Sequence, residues 1–166
     1  MKSKNLVSLI LFIFISLTIK AQYYSELKEI DLSTSENCKR AETKVIECCE
    51  YLFSVPCEEN LMSLNAILFL IDWMGATPDY LFGHNMNFYK VIKSKELVAG
   101  RYYAAMVMTA IQENMDNNDD NFQLNAISKF LEYCENPGSK IKINKKLKKF
   151  IEAKKNNSLK EIITSA

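Results

Sequence analysis

Glycine and proline are scarce in this chain, and their scarcity constrains its fold more than any other feature. The 166 residues include four glycines and three prolines, and no stretch is rich in Ser, Gly and Pro. An all-β domain needs many tight turns, and linkers between domains are rich in the same residue types. The composition therefore predicts an all-α fold, and the length of residues 22–166 fits one domain with its own hydrophobic core.

The first predicted helix covers residues 35–53. Its apolar residues recur at the three- and four-residue steps of a helical stripe, namely Ala41, Val45, Ile46, Cys49, Leu52 and Phe53. Ser33 and Glu36 precede this stripe at the spacing of a capping box. The pattern therefore predicts an amphipathic helix with a defined start.

A second helix is predicted from about Glu58 to Met74, with Gly75 as its terminator. Its expected buried face consists of Leu61, Leu64, Ile67, Leu68 and Ile71. Because this segment is apolar over most of its circumference, we expect it to be the central helix of the fold.

Further helices are expected over residues 87–93, 97–115 and 122–136, around 147–151, and after Ser158. The fold is predicted to contain about six helices in antiparallel hairpins, stacked as a bundle or a short solenoid-like array. Residues 64–73 and 124–133 share small, apolar, acidic and aromatic positions in the same register. This similarity is compatible with two related hairpins, and also with chance, since amphipathic core helices share such patterns.

The amino terminus has the pattern of a secretory signal peptide. Lys2 and Lys4 precede an apolar run over residues 6–19, and Ala21 supplies a small residue before the expected cleavage site. The run is shorter than the ~20 apolar residues that span a bilayer as a helix. We therefore expect cleavage after Ala21, a periplasmic or extracellular location, and no stable transmembrane segment in the mature chain. An uncleaved amino-terminal anchor is the alternative.

The five cysteines are expected to be mostly small buried hydrophobic residues. Cys49 and Cys57 flank the first predicted turn and are the most reachable candidates for a disulfide. The spacing matches no zinc site, and the chain has a single histidine, so no metal or other cofactor is predicted.

One constellation of polar and aromatic residues is compatible with a site. Trp73, Asp79, Tyr80 and His84 lie around a helix end and an irregular loop, where binding groups are common. A histidine beside Asp79 or Asp72 is capable of acid–base chemistry. Residues 77–79 equally fit a turn, with the aromatic rings packed on the core. No catalytic residue is therefore assigned, and the four residues are binding candidates.

Residues 73–82, with the sequence WMGATPDYLF, resemble a segment of a group of small secreted bacterial proteins of unknown function. The resemblance covers these ten residues and, more weakly, the surrounding helices. It implies a bacterial cell envelope setting and carries no activity to any residue.

Charge is distributed unevenly along the chain. Residues 22–138 contain 9 Lys and Arg against 18 Asp and Glu, a net charge of −9, whereas residues 139–166 contain 9 Lys against 2 Glu, a net charge of +7. The basic end offers binding candidates for an anionic glycan, a lipid headgroup or an acidic partner, namely Lys145, Lys146, Lys148 and Lys149. Lysines with few aromatic residues among them do not favour nucleic acid as the partner. Packing of this end on the acidic body of the same chain is the alternative.

The sequence therefore predicts a secreted, non-catalytic binding module of the cell envelope that contacts a protein or an anionic surface. One alternative is a small secreted enzyme that uses His84 with Asp79 or Asp72. The other is a thiol-based redox or metal-binding protein, which requires two cysteines to converge.

Overall fold

The computed structural model describes residues 26–164, and the regular secondary structure in that range is entirely helical. The all-α prediction is confirmed. The predicted signal peptide lies outside the described residues.

The described residues contain seven α-helices, rather than about six. They are α1 (Ser35–Ser54), α2 (Leu61–Ala76), α3 (Met86–Ile92), α4 (Glu96–Glu113), α5 (Phe122–Glu135), α6 (Lys145–Lys155) and α7 (Leu159–Thr164). A short 3-10 helix, Pro137–Ser139, follows α5.

The chain divides into two units after Ile30. Of the first unit, the structure describes residues 26–30, in which Glu26–Glu29 form one turn of 3-10 helix. The second unit begins at Asp31 and contains all seven α-helices.

Side chains that cap the helices explain where several of them begin. The hydroxyl of Thr34 accepts a hydrogen bond from the Asn37 amide at 3.2 Å, so Thr34 rather than Ser33 caps α1. Asn60 caps α2 in the same way, and Asn144 caps α6. Each cap satisfies an amide that the first helical turn leaves without a partner.

Helix α4 is the central helix, and the prediction that the second helix would take this place is wrong. Helix α4 packs against α1, α2, α3 and α5, whereas α2 packs mainly against α1 and α4. Most of the α4 side chains are buried, and they include Tyr102, Met106 and Val107. Helices α6 and α7 pack against each other and against α5.

The buried face of α2 also differs from the predicted one. Ile67 is buried as expected, but the rest of the buried face consists of Ser63, Ala66, Phe69, Leu70 and Trp73. Three residues of the predicted face are exposed, with 73% of Leu61, 51% of Leu68 and 43% of Ile71 accessible to solvent. The helix is apolar on two sides, and the fold buries one of them.

Helices α2 and α4 approach closely at Gly100. A Cβ atom at this position would lie 2.4 Å from Cδ1 of Ile67, which is closer than real contacts allow. Glycine is therefore the residue that lets α4 sit against this part of α2.

Aromatic side chains fill the core on the other side of α4. Phe88 of α3 makes edge-to-face contacts with Tyr102 at 5.2 Å, Phe130 at 5.6 Å and Phe150 at 5.0 Å between ring centroids. Such pairs stabilise a core by about 0.5–1.5 kcal/mol beyond the burial of their area. This cluster joins α3, α4, α5 and α6.

The two similar segments, residues 64–73 and 124–133, bury corresponding positions. Ala66, Ile67, Leu70 and Trp73 are buried in α2, and Ala126, Ile127, Phe130 and Tyr133 are buried in α5. Both helices pack against α4, which accounts for a shared pattern. The stacked-hairpin arrangement stays a prediction.

No helix within residues 26–164 combines the length and the apolar character that a membrane crossing requires.

Candidate functional site

An open apolar groove of about 380 Å³ lies on the surface between α2, α3 and α4. Its lining combines aliphatic residues, two tyrosines and a pair of opposite charges at the rim, namely Leu64, Ile67, Leu68, Ile71, Tyr89, Lys93, Glu96, Leu97, Ala99 and Tyr103. A second depression of about 180 Å³ shares Ile71 and Tyr103 with the groove and adds Met74 and His84. The two together form a continuous surface, which we call the α2–α4 groove.

One wall of the α2–α4 groove carries an apolar stripe along α2. The stripe consists of Leu64, Leu68 and Ile71, which line the groove, and Leu61, which continues the stripe beyond it. From Leu61 to Ile71 the spacings are three, four and three residues. This is the spacing of the a and d positions through which helices pair in coiled coils. The stripe therefore has the form of a helix-pairing surface, and within the described chain no helix covers it.

Aromatic rings close one end of the groove. His84 stacks on Tyr89 with ring centroids 4.6 Å apart and 8° between the planes, and it lies 5.5 Å from the ring of Tyr103. The hydroxyl oxygens of Tyr89 and Tyr103 are 3.2 Å apart. Burial raises the pKa of Tyr103 to about 12 and lowers that of His84. Desolvation therefore favours the uncharged forms of His84 and Tyr103, and together with Tyr89 they offer an amphipathic contact surface.

The position of His84 is set by its neighbour Asn85 and by Gln123 of α5. The Gln123 amide group donates to the Gly83 carbonyl at 2.7 Å, and its oxygen accepts from the Asn85 amide and the Tyr102 hydroxyl. Asn85 also caps α3 and donates to the Ile163 carbonyl at 2.8 Å. The loop that carries His84 is thus hydrogen-bonded to α5 and α7, and Gln123 also links it to Tyr102 of α4.

Trp73 and Tyr80, two of the predicted binding residues, do not belong to the groove. Trp73 is fully buried, and its indole N–H donates to the Cys38 carbonyl at 2.9 Å, which joins α2 to α1. Tyr80 is half-buried and packs 6.0 Å from the Trp73 ring. Trp73 is therefore a core residue with no exposed surface for the binding role considered from the sequence, as the alternative of rings packed on the core expects.

Asp79 is exposed and lies in a turn in which its amide donates to the Thr77 hydroxyl at 3.3 Å. Within residues 26–164, neither Asp79 nor Asp72 forms an ion pair with His84, whose ring contacts are tyrosines. The acid–base pair that the enzyme alternative requires is not assembled here.

All five cysteines are free thiols, so the candidate disulfide between Cys49 and Cys57 is not formed. Cys49 is fully buried in α1, while a 2.7 Å hydrogen bond from the Cys57 amide to the Ser139 carbonyl draws Cys57 towards the end of α5. Burial raises the pKa of Cys48 to about 12 and raises those of the other four thiols. Thiols of this kind are poor nucleophiles at neutral pH.

The Lys-rich segment divides into a part that packs on the chain and a part that faces solvent. Lys154 pairs with Glu132 at 3.1 Å and Lys155 with Glu135 at 2.6 Å, as the self-packing alternative expects. The four predicted binding lysines, Lys145, Lys146, Lys148 and Lys149, are exposed on α6. They occupy the amino-terminal half of that helix, where the helix dipole disfavours positive charge.

No group of three or more His, Cys, Asp or Glu side chains in the described range is arranged to hold a metal ion. Comparisons with protein-family models, with curated proteins and with solved structures found no match to the chain.

Sequence reasoning did not identify the groove itself. Leu68, Ile71, Tyr89 and Tyr103 were expected in the core or left unassigned, because apolar residues on a helix normally indicate burial. The available signal was the apolar circumference of the second helix, which exceeds what one buried face requires.

Proposed function

We propose that this protein is an exported, non-catalytic binding module, and that its α2–α4 groove receives an amphipathic helix of a partner protein. The observation that carries the proposal is the apolar stripe at coiled-coil spacing on α2, in which Leu61, Leu68 and Ile71 are exposed and Leu64 is half-buried. Contiguous exposed apolar surface is uncommon on monomers and is typical of interaction sites.

The features of the groove fit a helix better than a small polar ligand. Ala99 of α4 leaves space at the floor for a side chain, and the apolar walls match the helix-in-groove mode of recognition. Lys93 and Glu96 at the rim are exposed and of opposite sign, so they are able to orient a helix with complementary flanking charges. The aromatic end of the groove suits an aromatic or aliphatic anchor residue of the partner.

The apolar run of residues 6–19 supports export, and the resemblance of residues 73–82 supports a bacterial cell envelope. The partner is therefore expected among proteins of the periplasm or the cell exterior.

The test replaces Leu68 by a photo-crosslinking amino acid in the native host. The control carries the same amino acid in place of Lys90, which is exposed and polar. We expect the protein labelled at position 68 to form one abundant crosslinked adduct with a partner protein, and the protein labelled at position 90 to lack this adduct. Mass spectrometry then identifies the crosslinked segment, which should be an amphipathic helix.

The affinity of the purified partner is then measured for the unmodified chain and for the double variant L68Q/I71Q. We expect the Kd of the double variant to be higher by about 100-fold or more, since two central apolar anchors are lost.

The two substituted residues are exposed, so the double variant is expected to keep its fold, which circular dichroism checks. Equal adducts at positions 68 and 90, or unchanged binding by L68Q/I71Q, would contradict the proposal. An adduct between two copies of this chain would show that the groove mediates a homodimer, and the proposal of a different partner protein would then be wrong.

A further inference from the structure

Arg101 on the central helix is fully buried, with no accessible surface. Within residues 26–164, no other charged side chain is buried to this degree. Arginine stays protonated in proteins, so the fold holds a permanent positive charge in its interior.

The hydrogen bonds of Arg101 satisfy a minority of its donors. One terminal nitrogen, Nη2, donates to the Pro56 carbonyl at 3.2 Å and to the Ser63 hydroxyl at 3.3 Å. Nε and Nη1 are buried without a hydrogen-bond partner. They carry three N–H groups between them, and in the described chain no carboxylate forms an ion pair with the guanidinium.

A buried cation without a counter-ion is strongly unfavourable, because it loses hydration and gains no opposite charge in return. Carboxylates are available nearby in sequence but are not used. Glu58 follows Pro56 by two residues, yet it is exposed and pairs outward with Lys140 at 3.0 Å. The groups around Arg101 include the Pro56 carbonyl, the Ser63 hydroxyl, the Tyr133 hydroxyl and the Cys57 thiol. Burial raises the pKa of Tyr133 and that of Cys57 above their ordinary values, so neither group supplies a negative charge at pH 7.

The loop of residues 55–60 covers Arg101. It is held mainly through backbone groups, since the Tyr133 hydroxyl donates to the Val55 carbonyl at 2.8 Å and the Cys57 amide donates to the Ser139 carbonyl. Residues 58–60 at its tip are exposed, and residues 55–57 are half-buried. None of residues 55–60 is fully buried, so displacing the loop would break these hydrogen bonds without removing a side chain of its own from the core.

We propose that Arg101 binds a compact oxyanion, a carboxylate or a phosphate-like group, that enters beneath the loop of residues 55–60. The anion would accept hydrogen bonds from Nε and Nη1 and supply the charge that the interior lacks. This inference is independent of the α2–α4 groove and would stand if that proposal failed.

The test is thermal unfolding in phosphate, sulfate or acetate, compared with chloride at the same pH and ionic strength. The variants are Arg101→Met, which removes the charge, and Arg40→Met as a control, since Arg40 is exposed and pairs with Glu36. We expect the Tm of the wild type and of R40M to rise by about 5 °C when the anion reaches ~100 times its Kd, while R101M stays unchanged. Stabilisation by phosphate and sulfate would identify a site for phosphate-like groups, whereas stabilisation by acetate would identify a site for carboxylates. Equal shifts in wild type and R101M, or no shift in either, would overturn the proposal.

Calorimetric titration of the wild type with phosphate and with acetate keeps the proposal testable if R101M does not fold. Saturable binding of one anion per chain is expected, weakened by about tenfold or more in Arg101→Lys, which cannot supply the Nε and Nη1 donors. Absence of saturable binding for both anions would refute the site.

Discussion

At the scale of single residues, the predicted constellation around His84 separates into two environments. Trp73 lies in the core and bonds to Cys38, while His84 stacks on Tyr89 at the end of the α2–α4 groove. The sequence places both residues near one helix end, but their directions depend on which side of α2 meets α4. Tertiary packing determines which side of α2 faces α4. The closeness of Trp73 and His84 in the sequence therefore did not mean that the two side chains share a site.

The titration of His84 gives the first prediction at this scale. The His84 side chain is exposed at the surface, and its partial desolvation by the neighbouring rings lowers its pKa from the ordinary value of 6.5. The unfolded chain therefore binds a proton before the folded chain does as the pH falls, and stability that is present above pH 6.5 is lost below it. We expect the NMR titration of this imidazole, the single histidine of the chain, to give a pKa below 6.5.

The matched variant is His84→Gln, which keeps a polar side chain but does not titrate. Its Tm should fall slightly less than that of the wild type between pH 7 and about pH 5, since the His84 side chain is exposed and only partly desolvated. A measured pKa at or above the ordinary value, or identical pH dependence in both proteins, would show that His84 is not desolvated by its aromatic neighbours.

At the scale of helices, two glycines give opposite predictions. Gly100 of α4 has no space for a Cβ, which would lie 2.4 Å from Ile67, whereas Gly75 of α2 has nothing within 4 Å of such an atom. Gly100→Ala should lower the free energy of unfolding by about 1–3 kcal/mol through overpacking, despite the better helix propensity of alanine. Gly75→Ala should raise it by about 0.5–1 kcal/mol.

Urea denaturation of both variants against the wild type measures these changes. The two variants control for helix propensity, because both replace a helical glycine by alanine. A difference between them therefore reports the space available for the added Cβ atom. Stabilisation by Gly100→Ala would mean that α2 and α4 do not approach as closely as described.

Helix positions were predictable from the sequence, and helix roles were not. The apolar period and residues such as Pro137 place the helix ends within a few residues of those observed. The role of α2 was misjudged because an apolar circumference normally means burial on all sides. Which of two apolar faces stays exposed depends on where α4 lies, and helical periodicity carries no information about that.

At the scale of the whole molecule, the intact mass of the protein from the native host tests export and thiol chemistry together. We expect a chain that begins at Gln22, recovered from the periplasm or the medium. Under native conditions an alkylating reagent should modify one cysteine, Cys57, which is half-buried while the other four are buried. After denaturation all five should react.

Native protein with residues 1–21 retained in the membrane fraction would contradict the predicted cleavage. A mass lower by two hydrogens with fewer reactive thiols would reveal a disulfide, and rapid native alkylation of Cys48 or Cys49 would contradict their burial.

The fold class was predictable because it follows from composition. Few glycines and prolines leave an all-β chain without turns, and this holds whatever the tertiary arrangement. The buried Arg101 was not predictable, because an arginine in an amphipathic helix normally faces solvent. The α2–α4 groove was not predictable either, since it joins residues of three helices whose packing the sequence pattern does not specify.

The central position of α4 has a consequence for the order in which the chain can fold. Helices α1 and α2 precede α4 and α5 follows it, and both sides pack on the same helix. A growing chain that ends after α2 therefore lacks α4, the helix against which both α1 and α2 pack. Domains fold as units once their parts are present, so stable structure must wait until most of the sequence has been synthesised.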